Sequence, residues 1–158
     1  MADDQRTASL YDSDFYLWCQ AQGEALRRAG AAGQLDGVDW ERLAGEIEDL
    51  GKRDLKAALS LTTRIIEHLY LLATSGNAAP RGHWTKEIIA FRGDLEMELQ
   101  PTVRIKVEDD LERCHLLALR GIVAKLRIEE PHVKVDVSKR WTLAQILGEE
   151  DDPIALDP

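Results

Sequence analysis

The feature that most constrains the fold is an apolar series in the middle of the chain, which recurs at near-heptad spacing for about nine helical turns. Such a run predicts one long helix that opens at Asp39, and its single weak position, Gly51, can bend a helix without ending it. From Leu55 onward the apolar residues spread around the helix, which predicts a central helix with neighbours on several sides. The series consists of Trp40, Leu43, Ile47, Leu50, Ala57, Leu61, Ile65, His68 and Leu72.

Shorter amphipathic runs flank this helix on both sides. The first run begins at Asp12 or Ser13 and ends within Gly30 to Gly33. The third run carries Trp84 to Leu99, and the fourth carries Val103 to Leu126 after a break at Pro101. Thr142 and Gln145 form a capping box for a last helix that ends near Gly148.

These runs predict an all-α fold, a bundle of four main helices with one long central helix and a short C-terminal helix. The expected organisation is a flexible leader at residues 1–10, a single helical-bundle domain at 11–150 and an acidic tail at 151–158. One segment departs from the helical pattern, because Val133, Val135 and Val137 alternate with polar residues as in a half-buried strand. We expect either an extended segment packed over the bundle or pairing with the same segment of a second subunit.

Composition restricts the classes of partner. The 158 residues carry a formal net charge of −9, and the basic pairs Arg27-Arg28, Lys52-Arg53 and Lys139-Arg140 are scattered along the chain. This argues against nucleic acid and against an anionic membrane surface. No apolar stretch approaches the roughly 18 residues that span a bilayer. The two cysteines, Cys19 and Cys114, lack metal-site spacing, and two thiols without a secretory leader indicate the cytoplasm.

At this point the chain resembles the DUF29 family, whose function is unknown. The resemblance implies a small, bacterial, mostly helical cytoplasmic protein, and it implies no substrate, cofactor or functional residue. The matching pieces are YDSDFYLW (Tyr11 to Trp18), DWERLAGEIEDLG (Asp39 to Gly51), HLYLL (His68 to Leu72), Trp84 and WTLAQILGE (Trp141 to Glu149).

Acidic residues near the start of the long helix form the first candidate functional cluster. Glu46 and Asp49 are three residues apart and share a helix face, so they could bind a metal or act as an acid–base pair. The alternative is a solvated acidic face, which a helix N-terminus favours electrostatically. Glu112 and His115 form a Glu-x-x-His pair on the fourth run, but one such pair cannot complete a dimetal site.

His68 and the tryptophans complete the candidates. His68 falls on the apolar face of the long helix, where a histidine is usually neutral and hydrogen-bonded to a carboxylate or carbonyl, although it could be a general base. Large aromatics at helix starts pack helix ends together or anchor a partner protein, and we expect at most one of the four to be exposed. They are Trp18, Trp40, Trp84 and Trp141.

The functional hypothesis that follows is a non-enzymatic protein–protein interaction module, whose acidic surface binds a protein partner and which forms a homodimer. It rests on the absence of nucleophile, phosphate-loop and dinucleotide motifs, and no residue is assigned to catalysis, a cofactor or a metal. The alternative is a metal-dependent or acid–base enzyme that uses helix carboxylates with His68. The candidate functional residues are Trp40, Glu46, Asp49, His68 and Trp84.

Overall fold

The computed structural model describes residues 9–33 and 35–154, and within them it contains helices and no strand, which confirms the all-α prediction. None of the described helices combines the length and apolarity needed to cross a membrane. Most of the predicted leader (1–8) and the end of the predicted tail (155–158) lie outside the described residues. Residues 9–13 are helical. The helices that follow are α1 (Phe15–Ala31), α2 (Trp40–Thr74), α3 (Arg81–Glu98), α4 (Pro101–Asp109), α5 (Leu111–Glu129) and α6 (Leu143–Leu147).

The long helix is present as predicted, because α2 runs for 35 residues through Gly51. The expected starting residues, Asp12 and Ser13, lie in the preceding helical residues 9–13. α1 begins after them and is capped by Asp14, whose carboxylate accepts a hydrogen bond from the backbone N–H of Leu17 at 3.0 Å. The predicted fourth helix is divided at Asp110 into α4 and α5. The predicted count of four main helices is therefore not confirmed.

The stretch that alternates in sequence is extended but forms no strand in the part of the chain that the structure describes. Val133 and Val135 are half-buried and Lys134 and Asp136 are exposed, but Val137 is 59% exposed and lies in a turn, so only the first two valines rest on the protein. This agrees with the first of the two expectations for Val133 and Val135 and not for Val137. Pairing with the same segment of a second subunit stays a prediction.

Packing divides the described residues into two compact units, and the single-domain boundaries drawn from the sequence stay a prediction. The first unit holds the described residues up to Ala57 together with Glu98–Lys106. One buried carboxylate organises it, because Asp14 caps α1 and also accepts a hydrogen bond from the backbone N–H of Thr102, in the first turn of α4, at 2.8 Å. Two orphan helix-terminal N–H groups are thereby satisfied by one side chain.

α1 and α2 approach each other closely in this unit because glycines stand at the contact. A Cβ atom at Gly51 would lie 3.1 Å from the Cβ of Cys19 and 3.3 Å from the Cα of Tyr16. Arg27 of α1 adds ion pairs to Glu48 and to Glu41 of α2. The glycine that weakens α2 as an isolated helix is therefore the residue that lets α1 pack against it.

The second unit holds Ala58–Met97 and the described residues from Val107 onward. In it α2 is central, because Leu69, Tyr70 and Leu71 are all buried although successive helix positions point about 100° apart. The remaining buried hydrophobic residues of the unit come from the second half of α2, from α3, α5 and α6, from the end of α4 and from the segment before α6. They are Ala58, Ile65, Ile66, Trp84, Ile88, Leu95, Val107, Cys114, Ala118, Leu119, Ile122, Leu126, Trp141, Leu143, Ile146 and Leu147.

Two glycine-to-alanine substitutions in α2 test whether Gly51 is required by packing. Gly45→Ala places a methyl group in open space and is expected to raise the free energy of unfolding by up to about 1 kcal/mol through helix propensity. Gly51→Ala forces the α1 backbone to move by a few tenths of an ångström and is expected to be less stable than Gly45→Ala by about 1 kcal/mol or more. Urea unfolding of both variants measures the difference, and equal stabilities would show that Gly51 is not a packing residue.

Candidate functional site

The predicted acidic cluster does not form a site around its members. Glu46 is exposed, and Asp49 pairs with Lys52 at 2.8 Å on the surface of the same helix. Trp40 is half-buried against Gly30, and its indole N–H donates to the carbonyl of Leu35 at 3.4 Å. These three residues lie in the first unit, where Asp49 and Trp40 have separate partners and Glu46 faces solvent.

His68 and Trp84 lie in the second unit. The imidazole of His68 is 2.8 Å from the Arg64 carbonyl through Nδ1 and 2.5 Å from the Glu87 carboxylate through Nε2. Both partners are acceptors, so a neutral ring satisfies only one of them and the protonated ring satisfies both. The expected hydrogen bonding of His68 is thus observed, and its carboxylate partner is Glu87 of α3 rather than a residue of the acidic cluster.

The tryptophans and the Glu-x-x-His pair are structural in their contacts. Trp84 and Trp141 are buried and Trp18 and Trp40 are half-buried, so none of the four is exposed. Glu112 and His115 have different protein partners, described below. No group of three or more His, Cys, Asp or Glu side chains among the described residues is arranged to hold a metal ion.

The polar cluster that the structure does assemble clamps an extended segment, residues 139–141, against α2 and α5. The hydroxyl of Tyr70 donates to the carbonyl of Lys139 at 2.5 Å, and Nε2 of His115 bonds the carbonyl of Trp141 at 3.0 Å. The imidazole stacks on the Trp141 indole at 6.0 Å between centroids, and the Tyr70 ring meets that indole edge-on at 4.8 Å. Backbone carbonyls that no helix or sheet satisfies are thereby bonded in the interior.

Arg140, between these two clamped carbonyls, closes the cluster toward solvent. Its guanidinium binds both carboxylate oxygens of Glu112 at 2.9 Å and donates to the Val137 carbonyl at 2.8 Å. The hydrogen bond from Arg140 lowers the pKa of the Glu112 carboxyl. Burial raises the pKa of the Tyr70 hydroxyl, which keeps it a neutral donor.

A second buried cation holds α6 and the segment after it. Nε of Arg92, which is 8% exposed, donates to the Ile146 carbonyl at 2.7 Å, and Nη2 donates to the Gln145 carbonyl at 3.3 Å. These bonds satisfy carbonyls at the C-terminus of α6, where positive charge is favoured. The same guanidinium binds both oxygens of Asp152 at 2.8 and 3.0 Å and so lowers the pKa of that carboxyl.

Between these two anchors lies an open cavity of about 600 Å³, which falls within the usual range for small-molecule sites. We call it the α2–α3 cavity. Leu69 and Leu72 of α2 and Trp141 line it. The rest of its wall comes from the start of α3, the clamped segment, α6 and the segment held by Asp152, namely Ala73, Arg81, Gly82, Thr85, Lys139, Gln145, Asp151, Pro153 and Ile154.

Sequence reasoning identified only some members of this region. The sequence pattern does indicate that Arg92 is buried, because it lies on the apolar face of α3 with Trp84, Ile88 and Leu95. A charged side chain on a buried face requires a polar partner. Tyr70 and His115 also lie on apolar faces. Their acceptors are backbone carbonyls of a segment without regular structure, and carbonyls of this kind have no sequence signature.

Comparison with known proteins gives the same picture of a helical family without an assigned activity. The family model described as "Domain of unknown function DUF29" matches residues 10–150. A crystal structure of an alpha-helical protein of unknown function from Rhodospirillum rubrum is 25% identical, with a TM-score of 0.75 over 90% of this chain and 92% of that chain. A search of curated proteins finds no match.

The burial of His115 predicts a pH dependence of stability. Desolvation lowers its pKa below the ordinary value of 6.5, so between the two pKa values the unfolded chain binds a proton that the folded chain does not. The contribution of neutral His115 to the free energy of unfolding is fully present above about pH 6.5, the pKa in the unfolded chain. It is lost as the pH falls from there through the lower pKa of the folded chain. We expect the free energy of unfolding to fall less steeply below pH 6.5 in His115→Gln than in the unmodified protein, by up to about 1.4 kcal/mol per pH unit.

Urea unfolding at pH 7.5, 6.5, 5.5 and 5.0 measures the two slopes. The control is His132→Gln, which changes an exposed histidine and is expected to keep the slope of the unmodified protein. Identical slopes for His115→Gln and His132→Gln would contradict the assignment.

Proposed function

This chain belongs to the DUF29 family, and on that premise we propose that it is a bacterial, cytoplasmic, non-enzymatic protein–protein interaction module. The observation that carries the proposal is an exposed apolar stripe on α5. Leu117 and Ile128 are 45% and 84% exposed, and Gly121 and Ala124 between them are exposed as well, with the Glu67 carboxylate of α2 beside Gly121. Apolar residues spaced at four, three and four along a helix lie on one face, as in the contact face of a coiled coil.

Arginines border this stripe along one side. Arg113, Arg120 and Arg127 are exposed and recur every seven residues, which places them in one row beside the apolar face. Among the residues that the structure describes, none of the three forms an ion pair. The composition of a chain with a net charge of −9 points to an acidic binding surface, whereas this apolar face has the opposite local charge.

The row of arginines beside the stripe indicates the charge that a partner helix should carry. A second copy of α5 is disfavoured, because in an antiparallel pair the arginine rows would face each other and in a parallel pair they would face Lys125 of the second copy. Like charges across a helix pair are unfavourable. The stripe instead matches an amphipathic helix with apolar residues at coiled-coil spacing and a row of Glu or Asp beside them.

Site-specific photo-crosslinking in the native host tests this interface. A photoreactive residue at position 124 is expected to crosslink one polypeptide through an acidic amphipathic helix, because Ala124 lies at the centre of the stripe. The matched control places the same residue at position 90, where Ala90 is exposed on α3 outside the stripe. Reversing the row with Arg113→Glu, Arg120→Glu and Arg127→Glu is expected to lower the crosslink yield at least about tenfold.

Three outcomes of this experiment would overturn the proposed interface. They are equal crosslinking at positions 124 and 90, a yield that survives the triple charge reversal, and a crosslinked segment that is basic or lacks apolar spacing. Circular dichroism of the triple variant checks that it is folded. The substitutions lie on an exposed face, so its helical content is expected to be unchanged.

Homodimerisation is a separate proposal that rests on the first half of α2. Leu43 and Leu50 are seven residues apart and are 46% and 36% exposed, with the half-buried Ile47 between them. A second copy could cover this face by pairing α2 with α2. Light scattering across a hundredfold range of concentration is expected to show a dimer mass, and a monomer mass at every concentration would exclude the dimer.

The enzyme alternative receives no support from the placement of its residues. It requires Glu46 to line a pocket together with His68, yet the side chain of Glu46 is exposed. The side-chain carboxylate bound to His68 is that of Glu87. The interaction module is therefore the function we propose.

A further inference from the structure

The α2–α3 cavity is rich in hydrogen-bond donors that have no partner. Trp141 is 6% exposed, and its indole N–H, which is not fully buried, has no acceptor in the described part of the chain. Gln145 accepts a hydrogen bond through Oε1, while its Nε2 donates to no described residue. The backbone N–H of Gly82, at the start of the 18-residue α3, is likewise without a described acceptor. Unpartnered donors on one concave surface require acceptor atoms from water or a ligand.

Two cations line the same cavity. Arg81 donates through one guanidinium nitrogen to the Leu72 carbonyl at 2.8 Å, which holds the side chain at the rim and leaves its other donors available. The ammonium group of Lys139 lies 5.3 Å from the centre of the Trp141 ring. Tyr70 and His115 bond the backbone carbonyls of Lys139 and Trp141, which fixes the backbone of the segment that carries both side chains. The positive end of the α3 dipole adds to the same field.

The opposing charge is a single carboxylate. Asp151 lines the cavity and has a φ of 37°, in the left-handed region that aspartate and asparagine tolerate better than most residues. Its neighbour Asp152 is bound to Arg92, so the position of this wall is set by a buried ion pair. Cations and neutral donors therefore outnumber acceptor side chains around the cavity.

We propose that the α2–α3 cavity binds a small amphipathic carboxylate, an organic acid with an aliphatic or aromatic body. Its carboxylate takes the donors of Arg81, Lys139 and the Trp141 indole. Its hydrocarbon body packs on apolar lining residues, among them Leu72, Pro153 and Ile154. The cavity includes no residue of α5, so this site is independent of the interaction surface proposed above.

Octanoate is the probe, and titration is followed in ¹H–¹⁵N correlation spectra of the full chain. Saturable shifts are expected for the Trp141 indole N–H and for the backbone N–H groups of Gly82 and Thr85. Octanol shares the hydrocarbon body without the charge, octylammonium reverses the charge, and inorganic phosphate lacks the body. Each of the three is expected to bind at least about tenfold more weakly than octanoate, because charge-assisted hydrogen bonds and apolar burial both contribute to its binding.

Substitutions then assign the charges. Lys139→Gln is expected to weaken octanoate binding about threefold to tenfold, whereas Lys134→Gln, an exposed lysine of the preceding stretch that does not line the cavity, leaves it unchanged. Asp151→Asn removes the repelling carboxylate at a positive φ that asparagine tolerates, and it is expected to strengthen binding about threefold. A gain of affinity cannot result from partial unfolding.

Each remaining outcome counts against the proposal. Octanol or phosphate that binds as tightly as octanoate would overturn the amphipathic carboxylate as ligand. Shifts spread over the chain without saturation, or none at tens of millimolar octanoate, would overturn the site. Unchanged affinity in both Lys139→Gln and Asp151→Asn would overturn the role of the lining charges, even if octanoate bound.

Discussion

A helix that buries three consecutive side chains has to be covered on nearly every side, because neighbouring positions on a helix point about 100° apart. In the second unit this helix is α2, with Leu69, Tyr70 and Leu71 buried together. α3 covers one side, where His68 contacts Phe91 and Glu87, and α5 covers another, where Tyr70 contacts His115. Part of what remains is covered by an extended segment that carries Trp141 onto Tyr70.

Covering a helix with extended chain has a cost that covering it with another helix does not. Extended backbone brings carbonyl groups into the interior without the partners that a helix supplies, and each unsatisfied group costs about 1–3 kcal/mol. Tyr70 and His115 offset this cost by bonding the carbonyls of Lys139 and Trp141. Arg92 does the same for the last carbonyls of α6. The buried polar residues of this unit are thus consequences of where the chain leaves helical structure.

The same anchors decide where the protein can interact. Between the clamped segment and the segment held by Asp152 the chain leaves a concave space lined by donors, and this is where we place a small carboxylate. α5 contributes its inner face to the core through Cys114, Ala118, Ile122 and Leu126, and its outer face carries the apolar stripe and the arginine row. The two surfaces differ in shape and chemistry, so a small ligand and a protein partner would use different parts of the second unit.

Much of the fold is predictable from local pattern. The length of α2 follows from its apolar spacing, and the capping box at Thr142 and Gln145 with a left-handed Gly148 marks both ends of α6. The start of a helix is predicted less accurately where several neighbouring residues could each cap it. Asp12, Ser13 and Asp14 each have a side chain that can cap a helix N-terminus. The residue that caps α1 is Asp14, which also accepts a hydrogen bond from Thr102, 88 residues further along the chain.

The candidate site shows the same limit more strongly. The sequence pattern identifies His68, because a histidine on an apolar face needs a hydrogen-bond partner. It does not identify Glu87 as that partner, and it does not indicate that Tyr70, His115 and Trp141 come together. The sequence by itself determined the helices, their amphipathic faces and the residues too polar to be buried without a partner, because these depend on spacings within one element. Only the tertiary structure decided which partner each buried polar group found and which apolar face stayed exposed, because those depend on contacts between residues distant in sequence.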